Sequence, residues 1–580
     1  MRTPVSDSAR HGWVALGTSG ERVLAVVLDA TGAALQRVDL SAAEFPGWVI
    51  DRESAFSPRW VWNDTPRWYP RLLQAGIRVS RCHDLRLSHL VLEASNLVVD
   101  AAPLRAASRW HALPYEAGAL RAPVLFDWDS DTSRSALPTD ADETVAEFAR
   151  QQAAITQSTD PNRLRLLTAA ESAGALVAAE LQVAGLPWSR AAHEQILHES
   201  LGTPDTTTGI PTQILQLRNQ IHELLGDNTV SLDSQPKLLR ALHRAGVLVE
   251  STSRWELAEQ QHPVIAPLLE YKKLTRLLSA NGWAWLDEWV HDDRFRPVYV
   301  PSGVVTGRWA SSGGGALQIP RQLRSAVRAD PGWKLVVADV AQLEPRVLAA
   351  MAADNYLADA AFGRDLYAGI VDSGTIASRP EAKIAMLGAM YGATSGESGR
   401  LVPRLRRSYP RAMALVDGAA RTGEDGGTVA TWLGRTCAPP SSQWQVAQAQ
   451  ASDSGASEAD VARARGWARD RGRFTRNFIV QGTAAEWALA WLGDLRSRLA
   501  RLPPAPPEER ASASGSVFDR RAHLAFFLHD EVIVHVHESQ ATAAAEAARA
   551  AADAAGRLLF GEFRLDFPLD VSIADTAAKD

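Results

Sequence analysis

Residues 334–351 read KLVVADVAQLEPRVLAAM, and residues 523–538 read HLAFFLHDEVIVHVHE. The first is an apolar run ending at Asp339 that passes directly into LEPRVLAAM, so a buried strand followed by a helix is predicted. The second has two extended apolar runs around a polar His529-Asp530-Glu531, which predicts a hairpin. A carboxylate at the end of a buried strand stands on a rigid platform suited to a divalent cation. For Asp339 alone the alternative is a helix N-cap, the commoner use of a lone Asp before a helix. For His529-Asp530-Glu531 the alternative is a polar hairpin turn. Alternation puts His529 and Glu531 on one face and Asp530 on the other.

Between these two stretches lies RPEAKIAMLGAMYG, residues 379–392. Arg379, Lys383, Leu387 and Tyr391 are each four residues apart, so on a helix they share one face. Two cations stand at its N-terminal end, then an apolar group, then an aromatic ring. Such a face can hold a triphosphate with Arg and Lys while the remainder packs against a base. Cations at a helix N-terminus oppose the macrodipole, where a purely structural role would favour acids. The mismatch points to an anionic ligand.

The chain has 580 residues, a formal net charge of −6 and 22% charged residues, too long for a single core. The acidic balance gives no global sign of nucleic-acid binding, but a basic cleft would suffice for it. Arginines cluster at 321, 324 and 328, at 400–411, and at 463–476; solvated helix faces are the alternative reading of these runs. Lysine occurs only at 237, 272, 273, 334, 383 and 579, so a lysine inside a motif is not compositional noise. Two cysteines, Cys82 and Cys437, are too few and too far apart for a disulfide framework or a zinc cluster. With no long apolar run and no secretory h-region, the expectation is a cytoplasmic chain without a membrane span. Residues 165–300 read as largely helical, DWDSDTSRSALPTDADE at 127–143 as a loop or boundary, and PPAPPEERASASGSV at 503–517 as a disordered surface loop.

Taken in order, the segments closely resemble the motifs of the DNA polymerase I family. ADVAQLEPRVLA and FFLHDEVIVHV are similar to its two metal motifs, and RPEAKIAMLGAMYG to its nucleotide-binding helix. TGRWASSGGGALQIP at 306–320 and RNFIVQGTAAEWA at 476–488 resemble two further motifs. STSRWELAEQQHPVIAPLLEYKKLTRL at 251–277 resembles the thumb segment that contacts duplex DNA. The resemblance implies an α/β and α+β multidomain chain. An RNase H-like, exonuclease-type domain at 1–164 would precede a right-hand polymerase. Its thumb would span 165–300, the palm 301–372 and 473–580, and the fingers 373–472.

It also implies Asp339 and Asp530 as catalytic metal ligands, with Glu531 beside them and two Mg2+ ions (Mn2+ as a substitute). One ion would activate the primer 3′-hydroxyl and the other neutralise the triphosphate. Arg379 and Lys383 would bind the triphosphate, with Lys383 the proton donor to pyrophosphate. Leu387, Tyr391, Gln342 and Glu344 would complete the nucleotide site, Glu344 by blocking a 2′-hydroxyl. Arg308, Asn477, Gln481, His529, Lys272 and Lys273 would contact DNA. The implied partners are primer-template DNA and deoxynucleotides, and the implied state a nucleoid-associated monomer in repair or gap filling.

Three residues depart from the family pattern. Leu387 replaces Phe or Tyr, Tyr367 replaces His, and Pro345 replaces Leu. A proline in the first turn of a helix is tolerated. In the N-terminal region, WNDTPRWYPRLLQAGI and CHDLRLSHLVL resemble two exonuclease segments, but the metal acids do not line up. ERVLAVVLDATG offers Asp29 but Thr31 where a second acid is expected, and Trp68 and the Phe148–Gln152 pair occupy other expected positions. A metal-free, non-proofreading domain is therefore expected, and no upstream flap-nuclease domain. The alternatives are a 3′–5′ exonuclease and a non-catalytic DNA-binding protein on a polymerase scaffold.

Overall fold

The computed structural model describes residues 12–111, 137–315, 319–392 and 396–578. Residues 127–136 of the expected boundary loop and 316–318 of the TGRW segment lie outside the described residues. Two compact units emerge. The first comprises Met1–Gly185, Val298–Ser312 and Pro331–Ala574; the second comprises Leu186–Pro297, Gly313–Asp330 and Asp575–Asp580. The boundaries expected at 164 and 472 both fall inside continuous helices, Pro161–Ala184 and Glu458–Leu499. Composition reveals polar loops, whereas a buried helix belongs to whichever core covers its apolar faces.

The first unit opens with a five-stranded sheet. Its strands are β1 (Trp13–Ser19), β2 (Arg22–Leu28), β3 (Ala34–Leu40), β4 (Arg59–Trp62) and β5 (Arg81–Asp84), in the order β3-β2-β1-β4-β5. β1, β2 and β3 pair antiparallel, while β4 runs parallel to β1 and β5 parallel to β4. Period-two alternation splits the core between the two faces. Val14, Leu16, Trp60 and Trp62 pack with Trp68, Tyr69 and Leu176 in one cluster; Ala15, Val26 and Val61 pack with Leu85 and Phe148 in another. Gly17 in β1 admits no side chain, because a Cβ there would lie 2.1 Å from the Ala141 backbone nitrogen.

Asp29 closes a turn after β2. Its Oδ1 accepts from the Thr31 backbone N–H (2.8 Å), the Thr31 hydroxyl (2.7 Å) and the Ala33 N–H (2.9 Å). The Thr31 hydroxyl above all holds the carboxyl below its usual range. Trp68 is buried and donates its indole N–H to Asn63 Oδ1 at 2.9 Å. On helix Ala141–Thr156, Gln151 rather than Gln152 is fully buried, donating to the Leu85 carbonyl at 2.9 Å.

Helix Pro161–Ala184 is the one described helix long and apolar enough to cross a membrane by length and composition. Its two buried glutamates are committed to ion pairs inside the unit. Glu180 accepts from Arg78 (2.9 Å) and Arg496 (2.7 Å), and from the Tyr69 hydroxyl. Burial pushes its carboxyl up, but the Arg496 and Arg78 charges outweigh burial and hold it at about 2.

A second sheet in the same unit contains β6 (Trp333–Val340), β7 (His523–Leu528), β8 (Glu531–His537) and β9 (Leu569–Ala574), in the order β7-β8-β6-β9, all antiparallel. The 42-residue helix Glu458–Leu499 starts with a capping box, Ser457 reciprocating with Asp460. The segment at 503–517, expected to be disordered, is ordered. Ala505 N–H donates to Arg520 O (2.6 Å), Ala511 N–H to Asp519 O (2.7 Å), and the Trp333 indole to Glu509 O (2.8 Å). Proline lowers the entropy of the unfolded chain, so a Pro-rich stretch costs less to fix when its backbone finds partners.

Glu486, on the long helix, is fully buried and accepts from the Leu433 N–H (2.9 Å) and the Thr431 hydroxyl. Burial pushes its carboxyl up to about 7 against these hydrogen bonds. Above the ordinary glutamate range and below about 7, the folded chain retains a proton that the unfolded chain releases. This contribution is therefore full at low pH and lost as pH rises through that window. A shift of this size corresponds to about 3 kcal/mol. Glu486→Gln should accordingly flatten the fall in thermal midpoint between about pH 5 and about pH 8; an unaltered slope would contradict the assignment.

The second unit is mainly helical: Arg190–Leu201, Thr212–Leu225, Gln235–Arg244, Ile265–Asn281 and Trp283–Trp289. Its core includes Trp188, Trp285 and Phe295, with Trp285 and Phe295 ring centroids 4.9 Å apart. Lys273 pairs with Glu270 at 3.0 Å, and Lys272 donates to the Thr252 carbonyl.

Candidate active site

Asp339 sits at the penultimate position of β6. The register sets it opposite Glu531 of β8 on one side and Asp570 of β9 on the other. The N-cap of the following helix, Leu343–Met351, is Gln342, so Asp339 is a strand residue and not a cap. His529 and Asp530 form the two-residue loop joining β7 to β8, since Leu528 pairs with Glu531. The turn reading was therefore correct, and the alternation expected for His529 and Glu531 does not apply. His529 takes the left-handed conformation, φ 55°, which is uncommon for a residue with a Cβ.

The Val340 N–H donates to the Asp530 carbonyl at 2.9 Å. This bond pins the loop against the strand that carries Asp339. Burial pushes the Asp530 carboxyl up to about 6, and the Asp339 charge adds to the shift. Two carboxylates converging here, with buried Glu531 beside them, are an all-oxygen donor set that a hard divalent cation would relieve of like-charge repulsion.

Next to the acids is a cavity of about 290 Å3, bordered by Arg308, Gln342, Glu344, Tyr367, Leu387, Tyr391, His529 and Asp530. Glu344 is its hub. One carboxylate oxygen pairs with Arg308, and the other accepts from the Tyr391 hydroxyl at 2.6 Å. Burial, then the bond to Glu344, raises the Tyr391 hydroxyl well above its ordinary value. Pro345 stands in the first turn of its helix and disrupts nothing, as expected.

The expected helix is present at Arg379–Tyr391, capped by Ser378 and ended by Gly392 at φ 75°. Lys383 is exposed and makes no ion pair among the described residues. Arg379 pairs with Asp365 at 2.7 Å, and its guanidinium lies 5.7 Å from the Tyr367 ring centre. Tyr367 thus supports Arg379 from below, and burial raises its hydroxyl to about 12. Glu381 stands in the first turn and pairs with Arg400 at 3.4 Å. The dipole mismatch read from Arg379 and Lys383 is thereby partly offset.

The structure gathers Asp530, Glu344, Gln342, Leu387, Tyr391, Arg308 and His529 at one cavity. Asp339 and Glu531 are joined to it through strand register. Asn477 and Gln481 lie on the long helix, where Gln481 accepts from the Thr306 hydroxyl at 3.3 Å. Lys272 and Lys273 belong to the second unit.

Sequence reading missed Asp365, Asp570 and Arg346. Asp365 caps helix Leu366–Asp372 and accepts from Gln342 Nε2 (3.0 Å) as well as Arg379. Burial opposes ionisation of Asp365, but the Arg379 and Ala368 bonds win and lower it. An acid four residues after helix Asn355–Ala361, with a cation fourteen residues on, carried no local signal.

Residues 205–578 match the family DNA polymerase family A. A DNA polymerase I, thermostable, of Thermus thermophilus is 25% identical over 404 residues, covering 63% of this chain and 43% of that protein. A DNA polymerase I of Chloroflexus aurantiacus is 30% identical over 234 residues, 36% of this chain and 25% of that one. The chain thus aligns with less than half the length of these curated relatives. Among solved structures, the POL domain of Pol1 from M. smegmatis, in complex with DNA primer-template and dNTP, superposes with a TM-score of 0.65. That match is 17% identical and covers 98% of this chain and 96% of the other, which establishes a shared fold. A family match across well over half of the residues, including both aspartate motifs and the helix between them, makes the chain a member of DNA polymerase family A.

Proposed function

We propose that the chain is a DNA-directed DNA polymerase that adds deoxynucleotides to a primer 3′ end by two-metal phosphoryl transfer. The observation that carries this reading is the Asp530 loop, bonded to Val340 next to Asp339, beside the cavity of Glu344 and Tyr391. The residues present fit divalent cations, since the donors are carboxylates, and burial together with the Asp339 charge raises Asp530. Bound there, Mg2+ would supply Lewis-acid activation of the primer hydroxyl and charge neutralisation at the triphosphate. Asp339 and Asp530 would hold those cations, with Glu531 beside them. Lys383, exposed on its helix, contacts the triphosphate and gives its proton to the departing pyrophosphate. Arg379 exchanges Asp365 for phosphate oxygens. Arg308, His529, Asn477 and Gln481 contact the primer-template near the new pair. In the second unit, Lys272 and Lys273 meet duplex backbone.

Primer extension by the full chain with Mg2+ and four dNTPs tests this. Template-encoded products are expected, and their absence on any primer-template would sink the proposal. Glu344 is read as the group that excludes a 2′-hydroxyl, held in place by Arg308 and Tyr391. Glu344→Ala should raise ribonucleotide incorporation relative to deoxynucleotide by roughly 10- to 100-fold, as removal of one discriminating contact implies. An unchanged ratio would remove Glu344 from that role.

The N-terminal sheet is read as an exonuclease-type domain without its metals. The mixed five-stranded order supports the first part. The second is supported by the capped turn at Asp29 and the buried Trp68 and Phe148 where metal acids are expected. End-labelled single-stranded DNA with Mg2+ and no nucleotides should remain intact; steady shortening would favour a nuclease instead. A polymerase without proofreading and with Leu387 in the nucleotide pocket suits repair or gap filling by a cytoplasmic, nucleoid-associated monomer.

A further inference from the structure

The N-terminal region holds a cluster that plays no part in the polymerase reading. His89 and Glu93 lie one turn apart on helix Leu85–Ala94, and His111 ends the short 3-10 turn Ser108–His111. One ligand atom from each lies within 4.8 Å of the other two. His89 is fully buried. Its Nδ1 is 2.8 Å from Glu147 Oε1, and Glu147 is itself held by Arg150 Nε (2.8 Å) and Gln151 Nε2 (2.7 Å). A carboxylate only accepts, so Nδ1 carries a proton, and in the neutral ring Nε2 presents its lone pair. That Nε2 is buried and has no hydrogen-bond partner among the described residues. A buried polar atom left this way is costly, and calls for a ligand.

We infer that His89, Glu93 and His111 form a binding site for a divalent transition-metal ion of the zinc class. Metal-ligating histidines usually donate their other ring N–H to a carboxylate, as His89 does to Glu147. Two imidazole nitrogens and one carboxylate oxygen, with a fourth position open, are an established zinc set. Imidazole donors disfavour Mg2+ and Ca2+. Bonds of about 2.0–2.1 Å in a tetrahedral site place ligand atoms roughly 3.3 Å apart, so the cluster needs only a small contraction. The two outer ligands can supply it, because His111 and Glu93 remain partly exposed, 44% and 19%. They now pair with each other, and the His111 ring stands edge-on to His89 at 5.3 Å. A bound ion would tie the 3-10 turn to the helix and satisfy the buried nitrogen of His89.

The test uses the full chain without a histidine tag, stripped with chelator and held in excess Mg2+ to occupy the carboxylates at Asp339 and Asp530. Zn2+ is titrated against a chromophoric competitor, and Co2+ is added separately to read visible absorption. One equivalent of Zn2+ and tetrahedral Co2+ bands are expected for the wild type. His111→Ala and Glu93→Gln, both at partly exposed positions, should each weaken Zn2+ at least tenfold and abolish the Co2+ bands. Zn2+ affinities within twofold across the wild type and both variants would overturn the proposal, as would failure of the wild type to bind stoichiometrically. The cluster would then be only a histidine–glutamate ion pair.

Discussion

Asp530→Ala should reduce primer extension by on the order of 1,000-fold or more, equivalent to about 4 kcal/mol of transition-state stabilisation. The loss should fall on the chemical step, with duplex affinity within a few-fold of the wild type. The geometry makes this variant diagnostic. Asp530 is in a two-residue loop pinned by the Val340 N–H to its own carbonyl, a bond that alanine keeps. Its carboxyl is pushed up to about 6 by burial and by Asp339. In the metal-free chain, removing it relieves repulsion, so the thermal midpoint in chelator should hold or rise. Asp570, exposed on β9 opposite Asp339, is the control: Asp570→Ala should cost less than tenfold. Near-normal extension by the Asp530 variant, or its loss with a collapsed midpoint, would refute the assigned role.

Arg346→Ala is expected to have the largest effect on stability, about 3–5 kcal/mol. Arg346 is completely buried. Its guanidinium donates to the carbonyls of Ala341 (3.0 Å), Ala361 (3.0 Å) and Arg364 (2.6 Å), and to Asp566 Oδ1 (2.8 Å). Burial lowers its pKa, and Asp566 pulls the other way. Truncation would strand these carbonyls, that of Asp566 (3.2 Å) and the carboxylate together. Arg346→Lys should recover only part of the loss, because one ammonium cannot span that fork of acceptors. Urea and thermal melts measure it; a midpoint change equivalent to less than about 1 kcal/mol would mean that water replaces the guanidinium. Activity should fall too, since Arg346 anchors the turn before Asp365 and Tyr367, which together hold Arg379.

Much of the site was legible because its pieces are local. The strand ending at Asp339, the hairpin around Asp530 and the helix Arg379–Tyr391 each announce themselves by periodicity over a short window. The N-cap and turn alternatives could not be settled in the same way. Asp339 escapes the cap role because Gln342 takes it, and Asp530 is both turn and ligand candidate. The ordered 503–517 segment was misread because composition does not report specific backbone pairings, here to Asp519 and Arg520, nor the distant Trp333 indole.

Sequence alone determined the order and type of the motif-bearing elements, since strand and helix periods are written in neighbouring residues. Tertiary structure decided which charges meet. Asp339 meets Glu531 and Asp570 only through β-sheet register, and Asp530 through the loop bonded to the Val340 N–H. Glu344 receives Arg308 and Tyr391 from segments 36 and 47 residues away. Arg379 is held by Asp365, and His89 by Glu147. Each pairing is a long-range choice made by packing, because charge interactions depend on distance in space and burial, neither of which a linear pattern specifies.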